Sequence, residues 1–252
     1  LGVIRGQVVG MYEARNRVLN ENRALLRDLE RRVQERTGDL EFVIQELESF
    51  TYSVSHDLRR PLRAIDARRS ELSAQSLDPD ARKTVEELGL QIRQMNEIID
   101  DLLSLSRVGR ETLRREPVDL TELSKRIVAD LARHEPERRV DVEIQSDLRA
   151  YGDGSMLNLA LINLLHNAWK YTSERAGARI AVRREGETLI VEDNGIGFDP
   201  EQVENIFKPF SRLPGSEAFA GTGIGLAIVE RIIRRHGGTI RASSEGPGRG
   251  SR

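Results

Sequence analysis

Residues 53–62 read Ser-Val-Ser-His-Asp-Leu-Arg-Arg-Pro-Leu, which places His56 beside the carboxylate of Asp57 inside a long helical pattern. Upstream, Leu19, Leu26, Val33, Leu40, Leu47 and Val54 recur at strict seven-residue intervals, and Leu29, Val43 and Phe50 fill intervening seam positions. A seven-residue apolar repeat of this length predicts a left-handed supercoil. Asn22 and Arg36 stand at two further seam positions, where polar groups cost stability but fix register. Two residues past Val54, His56 should point off the seam towards solvent. Pro61 has no N–H and clashes with the preceding turn, so a bend just after His56 is expected. A lone surface histidine is ordinarily only that. The adjacent carboxylate, the proline and the motifs downstream set this one apart.

The chain has 252 residues, 32% charged, 38% apolar and 4% aromatic, a balance that suits charged helices more than an aromatic-rich core. One to two domains fit that length. The net charge of −2 gives no reason to expect nucleic acid or an anionic membrane as partner. There is no cysteine, which excludes disulfides and thiolate chemistry. No run of apolar residues is long enough to span a bilayer. The sequence starts at Leu1 and shows no signal peptide, so it reads as a cytoplasmic fragment with an upstream domain cut away, of a full-length protein that is either soluble or membrane-anchored.

Residues 1–48 are expected to form a coiled coil, either a plain spacer or a signalling helix whose twist or register is changed from upstream, residues 49–115 a helical hairpin, and residues 116–252 an α/β domain. The helix carrying His56 should run to about Gln75, with a turn over Ser76–Asp80. Asp78 is then a candidate N-cap and Pro79 the first helical residue. In the second helix Val85, Leu88, Ile92, Met95, Ile99 and Leu102 alternate at spacings of three and four, which is another seam. One hairpin cannot bury both seams, whereas two make a four-helix bundle, so a homodimer through hairpin and coiled coil is expected. Pro117 marks the boundary of the next domain. Beyond it, Leu120–Arg133, Asp153–Tyr171 and Ile224–His236 read as helices. Val140–Ile144, Arg179–Arg184, Thr188–Glu192 and Thr239–Ser243 read as strands. The order αβαββαβ predicts an α/β sandwich with helices on one face of a mixed sheet.

Four stretches of this half carry chemistry. Asn163, Asn167 and Lys170 stand four and three apart and share a helical face, so their amide oxygens and ammonium suit a hydrated Mg²⁺ and phosphate oxygens. Taken alone, the same row is more often a solvated helix face. Asp193-Asn-Gly195-Ile-Gly197 follows an apolar strand; Asp193 can accept from an exocyclic amine, and the glycines allow close backbone approach or simply make a turn. Ile206-Phe-Lys208-Pro-Phe210-Ser-Arg212, followed by the small residues of 214–221, reads as a lid whose Lys208 and Arg212 can reach phosphate. Gly221-Thr222-Gly223-Ile-Gly225-Leu226 opens a helix and exposes backbone N–H groups to an anion. It follows a lid rather than a strand, which disfavours a dinucleotide-binding fold. His134, His166 and His236 have no partners at metal-ligand spacing.

In this order and spacing, the four stretches resemble the Asn, first glycine, Phe and second glycine boxes of the histidine-kinase catalytic domain, in the Bergerat ATP-binding superfamily. With the His56 segment, the resemblance to two-component sensor histidine kinases covers residues 45–248. It implies ATP and Mg²⁺ as cofactors, with Asp193 reading the adenine, Asn167 holding Mg²⁺ supported by Asn163, and Lys170 and Tyr171 lining the site. His56 would take the γ-phosphoryl group, oriented by Asp57, and pass it to an aspartate of a response regulator receiver domain. Three features depart from the family pattern. Family members that also act as phosphatases tend to carry Thr or Asn four residues after the histidine, where this chain has Arg60. Gyrase and Hsp90 place a catalytic Glu where Asn163 stands, and its absence favours transfer to His56 over hydrolysis. An apolar edge strand usually follows the Gly-x-Gly-Ser stretch, so the sheet is expected to lack one strand. A dimeric scaffold that binds nucleotide and regulator without turnover is the alternative reading.

Overall fold

A computed structural model describes residues 2–75, 78–110, 112–215, 219 and 221–252; the side chains of residues 2–21, 24, 40, 41, 48 and 110 lie outside that description. Ser76 and Leu77 of the expected turn, and the seam side chains of Leu19 and Leu40, therefore fall outside it. The chain forms two units, one up to Phe50 and one from Thr51 onward. Among the described residues no helix is long and apolar enough to cross a membrane.

Helix α1 spans Gly2–Ser73, and its first fifty residues make up the first unit. Exposed ion pairs at helical spacing, Arg31 with Asp28 and Glu35 and Arg32 with Asp28, line one side. Each stabilises an isolated helix by only a few tenths of a kcal/mol. The apolar seam residues Leu26, Leu29, Val33, Val43, Leu47 and Phe50 are all exposed. A helix with an unburied stripe has no tertiary support of its own.

In the second unit, the rest of α1 pairs with α2 (Pro79–Arg110). Arg59 bonds Asp100, while the arginine side chain of Arg69 lies against Gly89. Contacts that run backward in one helix as they run forward in the other define an antiparallel hairpin. Asp78 accepts from the backbone N–H groups of Asp80 and Ala81 (3.1 and 2.9 Å) and starts α2 as its cap. Pro61 does not end the helix: α1 runs through it. The proline forfeits one bond to the carbonyl of Asp57, and its neighbour Leu62 is clamped against Ile99 and Leu103. The hairpin buries Val85, Ile92, Ile99 and Leu103, but Leu88 and Met95 of the expected seam stay exposed, as do Leu58, Ile65 and Leu72 on α1. An apolar stripe of this hairpin thus remains open.

The α/β region runs β1 (Glu116–Asp119), α3 (Leu120–His134), β2 (Val140–Ile144), β3 (Arg149–Gly152), α4 (Gly154–Tyr171), β4 (Ala178–Glu185), β5 (Thr188–Asp193), a 3-10 turn at Pro200–Gln202, and α5 (Gly225–Arg235). β2 and β4 are parallel and β4 and β5 antiparallel, giving the mixed sheet expected. Two strands were not foreseen. β1 and β3 form a separate antiparallel pair. β1 holds Pro117, and a proline in a four-residue segment hides a strand from pattern reading, although a short edge strand tolerates it. Conversely, residues 239–243 form no strand. Among the described residues their ladder is one pair, Ser243 with Arg252, too little for a sheet edge.

Helix α4 lies between two cores. Leu161, Leu165, Ala168 and Trp169 pack with Ile180, Val182, Leu120, Ile127 and Leu148 under the sheet. Met156 and Ala160 pack with Ile224, Ile228, Val229 and Ile232 of the α5 region, and Ile98, Leu102, Leu105 and Val108 of α2 close that second core. The ends of α4 are tied as firmly. At its start Asp153 accepts from Ser155 N (3.1 Å), Met156 N (3.2 Å), Ser155 Oγ (2.6 Å) and Arg114 N (3.1 Å). At its end the Arg138 guanidinium donates to the carbonyl of Trp169 (2.5 Å) and the Thr172 hydroxyl (2.9 Å) and stacks on the Trp169 ring, 4.8 Å from its centroid.

These hydrogen bonds hold the Asp153 carboxyl well below the usual range, at about 2. Its contribution to stability is complete above the unfolded value of 3.8 and is lost as pH falls towards 2. Asp153→Ala is expected to lower unfolding free energy by about 2 kcal/mol at pH 7. Urea unfolding of both proteins should show the difference shrinking below pH 4; a difference constant down to pH 2 would contradict this account.

Candidate active site

Ser55 is buried (1% exposed), so the next residue, about 100° further round the helix, faces out. His56 is accordingly exposed, and its Nδ1 lies 3.4 Å from Asp57 Oδ1. Asp57 is itself open to solvent, so the pair is reachable from outside the hairpin.

A second cluster forms where α4, residues 193–198 and residues 221–226 meet. Asn163 donates from Nδ2 to the Leu159 carbonyl (2.9 Å) and turns Oδ1 onto Gly225, where a Cβ would lie 2.5 Å from it. Gly225 thus lets α5 approach α4. The side-chain amide of Asn167 makes no hydrogen bond among the described residues and is half-exposed. Lys170 Nζ sits 4.2 Å from the centroid of the Tyr171 ring and 3.0 Å from where a Cβ on Gly221 would be. The Tyr171 ring meets Phe219 edge-on at 5.5 Å.

Asp193 ends β5 with both oxygens engaged: Oδ1 accepts from Gly195 N and Oδ2 from Ser251 Oγ, each at 2.8 Å. Burial raises its pKa above the ordinary carboxylate range, and the Gly195 and Ser251 bonds partly offset that. Each oxygen retains a lone pair for a further donor. The glycines here serve the chain's own packing. A Cβ on Gly195 would fall 2.4 Å from the Tyr171 carbonyl, and one on Gly197 2.4 Å from the Gly246 carbonyl. The backbone approach expected at these glycines is made by the protein itself.

Thr222 Oγ1 accepts from Ile224 N (3.2 Å) and donates to Asp101 Oδ2 (2.5 Å). Gly223 has a φ of 73°, and a Cβ on it would meet the Ser211 carbonyl at 2.8 Å. Gly225 and Leu226 begin α5 without a side-chain cap on its free N–H groups. Asn163, Asn167, Lys170, Tyr171, Asp193, Gly195, Gly197, Gly221, Thr222, Gly223, Gly225 and Leu226 therefore belong to adjoining elements. Lys208 Nζ donates to Asn205 Oδ1 (2.7 Å), outside these elements, while Arg212 Nη2 donates to the carbonyl of Phe219 (2.7 Å), whose ring meets Tyr171.

Four participants escaped sequence reasoning. Ser251 reaches Asp193 from 58 residues away, signalled only by the glycines on either side of Arg249. Arg175 ties the Asn194 carbonyl (2.8 Å) to that of Gly248. Asp101 belongs to the hairpin. His236, which has no partners at metal-ligand spacing, donates from Nδ1 to Ile232 O (2.8 Å) and accepts at Nε2 from Asp153 N (2.9 Å), a structural tie between α5 and the start of α4. Among the described residues no group of three His, Cys, Asp or Glu could hold a metal. An ion here would rely on amide and phosphate oxygens, which suits Mg²⁺ and for which the free amide of Asn167 is available.

Two family models match: the His Kinase A phospho-acceptor domain over residues 46–111, and the histidine kinase-, DNA gyrase B- and HSP90-like ATPase over residues 152–252. With the exposed His56–Asp57 pair on a hairpin and the α/β domain behind it, the chain belongs to the two-component sensor histidine kinases. It is 38% identical, over its whole length, to the methanogenesis regulatory histidine kinase FilI of Methanothrix harundinacea, of which it covers 28%. It is 32% identical over 77% of its length to the histidine-protein kinase/phosphatase MprB of Mycobacterium ulcerans, of which it covers 40%. The chain thus spans less than half the length of these relatives. Among solved structures, full-length ShkA in complex with AMPPNP superposes with a TM-score of 0.62 at 25% identity, over 80% of this chain and 43% of that one. The histidine kinase AdeS of Acinetobacter baumannii gives 0.53 at 25% identity, over 78% and 93%.

A Cβ at Gly250 would lie 2.1 Å from the Asp193 carbonyl oxygen, and the residue has a φ of 78°. Gly250→Ala should therefore unseat Ser251 from Asp193 and cost about 2 kcal/mol. Thermal unfolding measures the loss; a midpoint equal to that of the parent would show that the C-terminal residues do not pin Asp193.

Proposed function

We propose that this chain is the catalytic core of a sensor kinase that transfers the γ-phosphoryl group of ATP to His56 and from there to an aspartate of a response regulator. The observation that carries the proposal is the solvent-facing His56 whose Nδ1 is paired with Asp57 at 3.4 Å. With its proton on Nδ1 and donated to Asp57, the ring offers the Nε2 lone pair as nucleophile. Nε2 bonds to the γ-phosphorus while the bond to the β–γ bridging oxygen breaks and ADP leaves. Asp57 stabilises the positive charge that develops on the ring.

In this reading Asp193 accepts from the adenine amine, with Gly195 N and Ser251 Oγ holding its carboxylate in place. Lys170 and the free N–H groups at the start of α5 take the phosphates, with Tyr171, Thr222, Gly221, Gly223, Gly225 and Leu226 forming the walls. Lys208 and Arg212 join only if they leave their present partners. Asn167, next to Asn163, would hold Mg²⁺; when bound, that ion neutralises phosphate charge as the γ-phosphoryl group departs. The ShkA complex with AMPPNP supports nucleotide binding by this chain. The functional segments proposed are 1–48 for signalling, 49–115 for dimerisation and phosphotransfer, and 116–252 for ATP binding. The exposed seams of α1 and of the hairpin support a homodimer in which two hairpins cover each other's open faces.

Incubation with Mg²⁺ and γ-labelled ATP should give acid-labile, alkali-stable label, abolished in His56→Ala and reduced at least a hundredfold in Asn167→Ala. Nucleotide binding without label on the parent chain would sink the kinase reading in favour of a scaffold. Asp193→Asn should weaken ATP binding roughly tenfold or more by removing the charged acceptor. Because burial raises the pKa of Asp193, protonation begins above the ordinary Asp range, so ATP affinity should fall with pH from there. Calorimetric titration against pH would show this slope in the parent and not in Asp193→Asn.

A further inference from the structure

Along α2, residues 98, 101, 102, 105 and 108 follow helical spacing and form one stripe. Four of them, Ile98, Leu102, Leu105 and Val108, pack against Ile224, Ile228, Val229 and Ile232. The fifth is Asp101, an acid where the pattern calls for an aliphatic residue. Its carboxylate is partly buried, which raises its pKa, and it is directed at the glycine loop that opens α5. Oδ2 accepts from Thr222 Oγ1 at 2.5 Å, and that hydroxyl accepts from Ile224 N at 3.2 Å. Other acids start helices directly, as Asp119 does for α3 and Asp153 for α4. At α5 the capping residue is Ile224, which makes no side-chain cap bond, and Asp101 reaches this position only through Thr222.

The neighbouring charges are otherwise accounted for. Asp100 is bound by Arg59 from α1, and Lys170 Nζ stands beside Gly221 at the start of the loop. The loop is therefore approached by a cation from α4 and by an anion from α2. An anion at a helix start is favoured by the free N–H groups and the dipole, and two anions at one start repel.

We infer that Asp101 is an internal anion competing with the nucleotide's phosphates for the Gly221–Leu226 loop, so that docking of α2 on this loop and triphosphate loading oppose each other. The inference rests on the proposal that this loop takes the phosphates. While Asp101 holds Thr222, the loop is committed to α2. When phosphate takes over the loop, the polar tie breaks and only the apolar packing still holds α5 to α2. The phosphotransfer hairpin thereby senses whether the catalytic domain is loaded.

The test is calorimetric titration of the 252-residue chain with a non-hydrolysable ATP analogue, ADP and adenosine in the presence of Mg²⁺. Asp101→Asn keeps an acceptor and removes the charge; Asp101→Ala removes both. Each is expected to tighten binding of the ATP analogue about fivefold or more, to tighten ADP binding less, and to leave adenosine unchanged. A merely structural role would move all three ligands alike. Unchanged or weaker binding of the analogue in both folded variants overturns the inference and leaves the nucleotide reading intact. If the parent chain binds no analogue at all, the nucleotide reading fails and the inference with it.

Discussion

The seam between α2 and α5 is the contact on which the rest of the second unit depends. Ile224, Ile228, Val229 and Ile232 are wholly buried there and in contact with α4. Burying a side chain of this size contributes roughly 2 kcal/mol, so the four together outweigh any single polar contact in the unit. This packing joins the helix that returns from the His56 segment to the helix that opens at the glycine loop. Arg235 adds a bond to the Val108 carbonyl at the far end. The hairpin is much less completely satisfied: Leu62, Ile99 and Leu103 form a small core, while Leu58, Ile65, Leu72, Leu88 and Met95 stay exposed.

Polar groups in this protein divide by the work they do. Asp78, Asp119 and Asp153 satisfy the first N–H groups of α2, α3 and α4, and the depressed pKa of Asp153 reflects how fully it is bonded. Asp193 and Asp101 move the other way, because burial outweighs the hydrogen bonds each receives. Acids kept at such cost are candidates for chemistry or regulation rather than for stability. The uncapped start of α5 belongs to the same group, since a helix start left open to anions is a binding feature as long as nothing internal closes it.

Several glycines that read as ligand-facing are occupied by the protein. Gly195 makes room for the Tyr171 carbonyl, Gly197 for Gly246 and Gly225 for Asn163. These close approaches lock the end of α4, the end of β5 and the C-terminal residues together. The geometry of Asp193 is set by that lock, and Ser251 and Arg175 are part of it.

Local chemistry alone determined the helices and the main strands, because their periodicity and caps are written in neighbouring residues. The seven-residue repeat into Val54, Asp78-Pro79, Asp153 before α4 and the alternation of 140–144 each specify an element without reference to anything distant. The exposure of His56 was legible for the same reason, as an angle on one helix. Tertiary structure decided what pairs across the chain. It kept Pro61 helical, because packing on both sides outweighs one lost hydrogen bond. It made a strand of the segment holding Pro117 and denied one to 239–243, because a strand exists only where a partner supplies its ladder. It also brought Ser251 to Asp193 and Asp101 to Thr222, contacts over 58 and 121 residues that carry no local signal. Spacing along the chain encodes a face of a helix; which face meets which is settled only when the cores close.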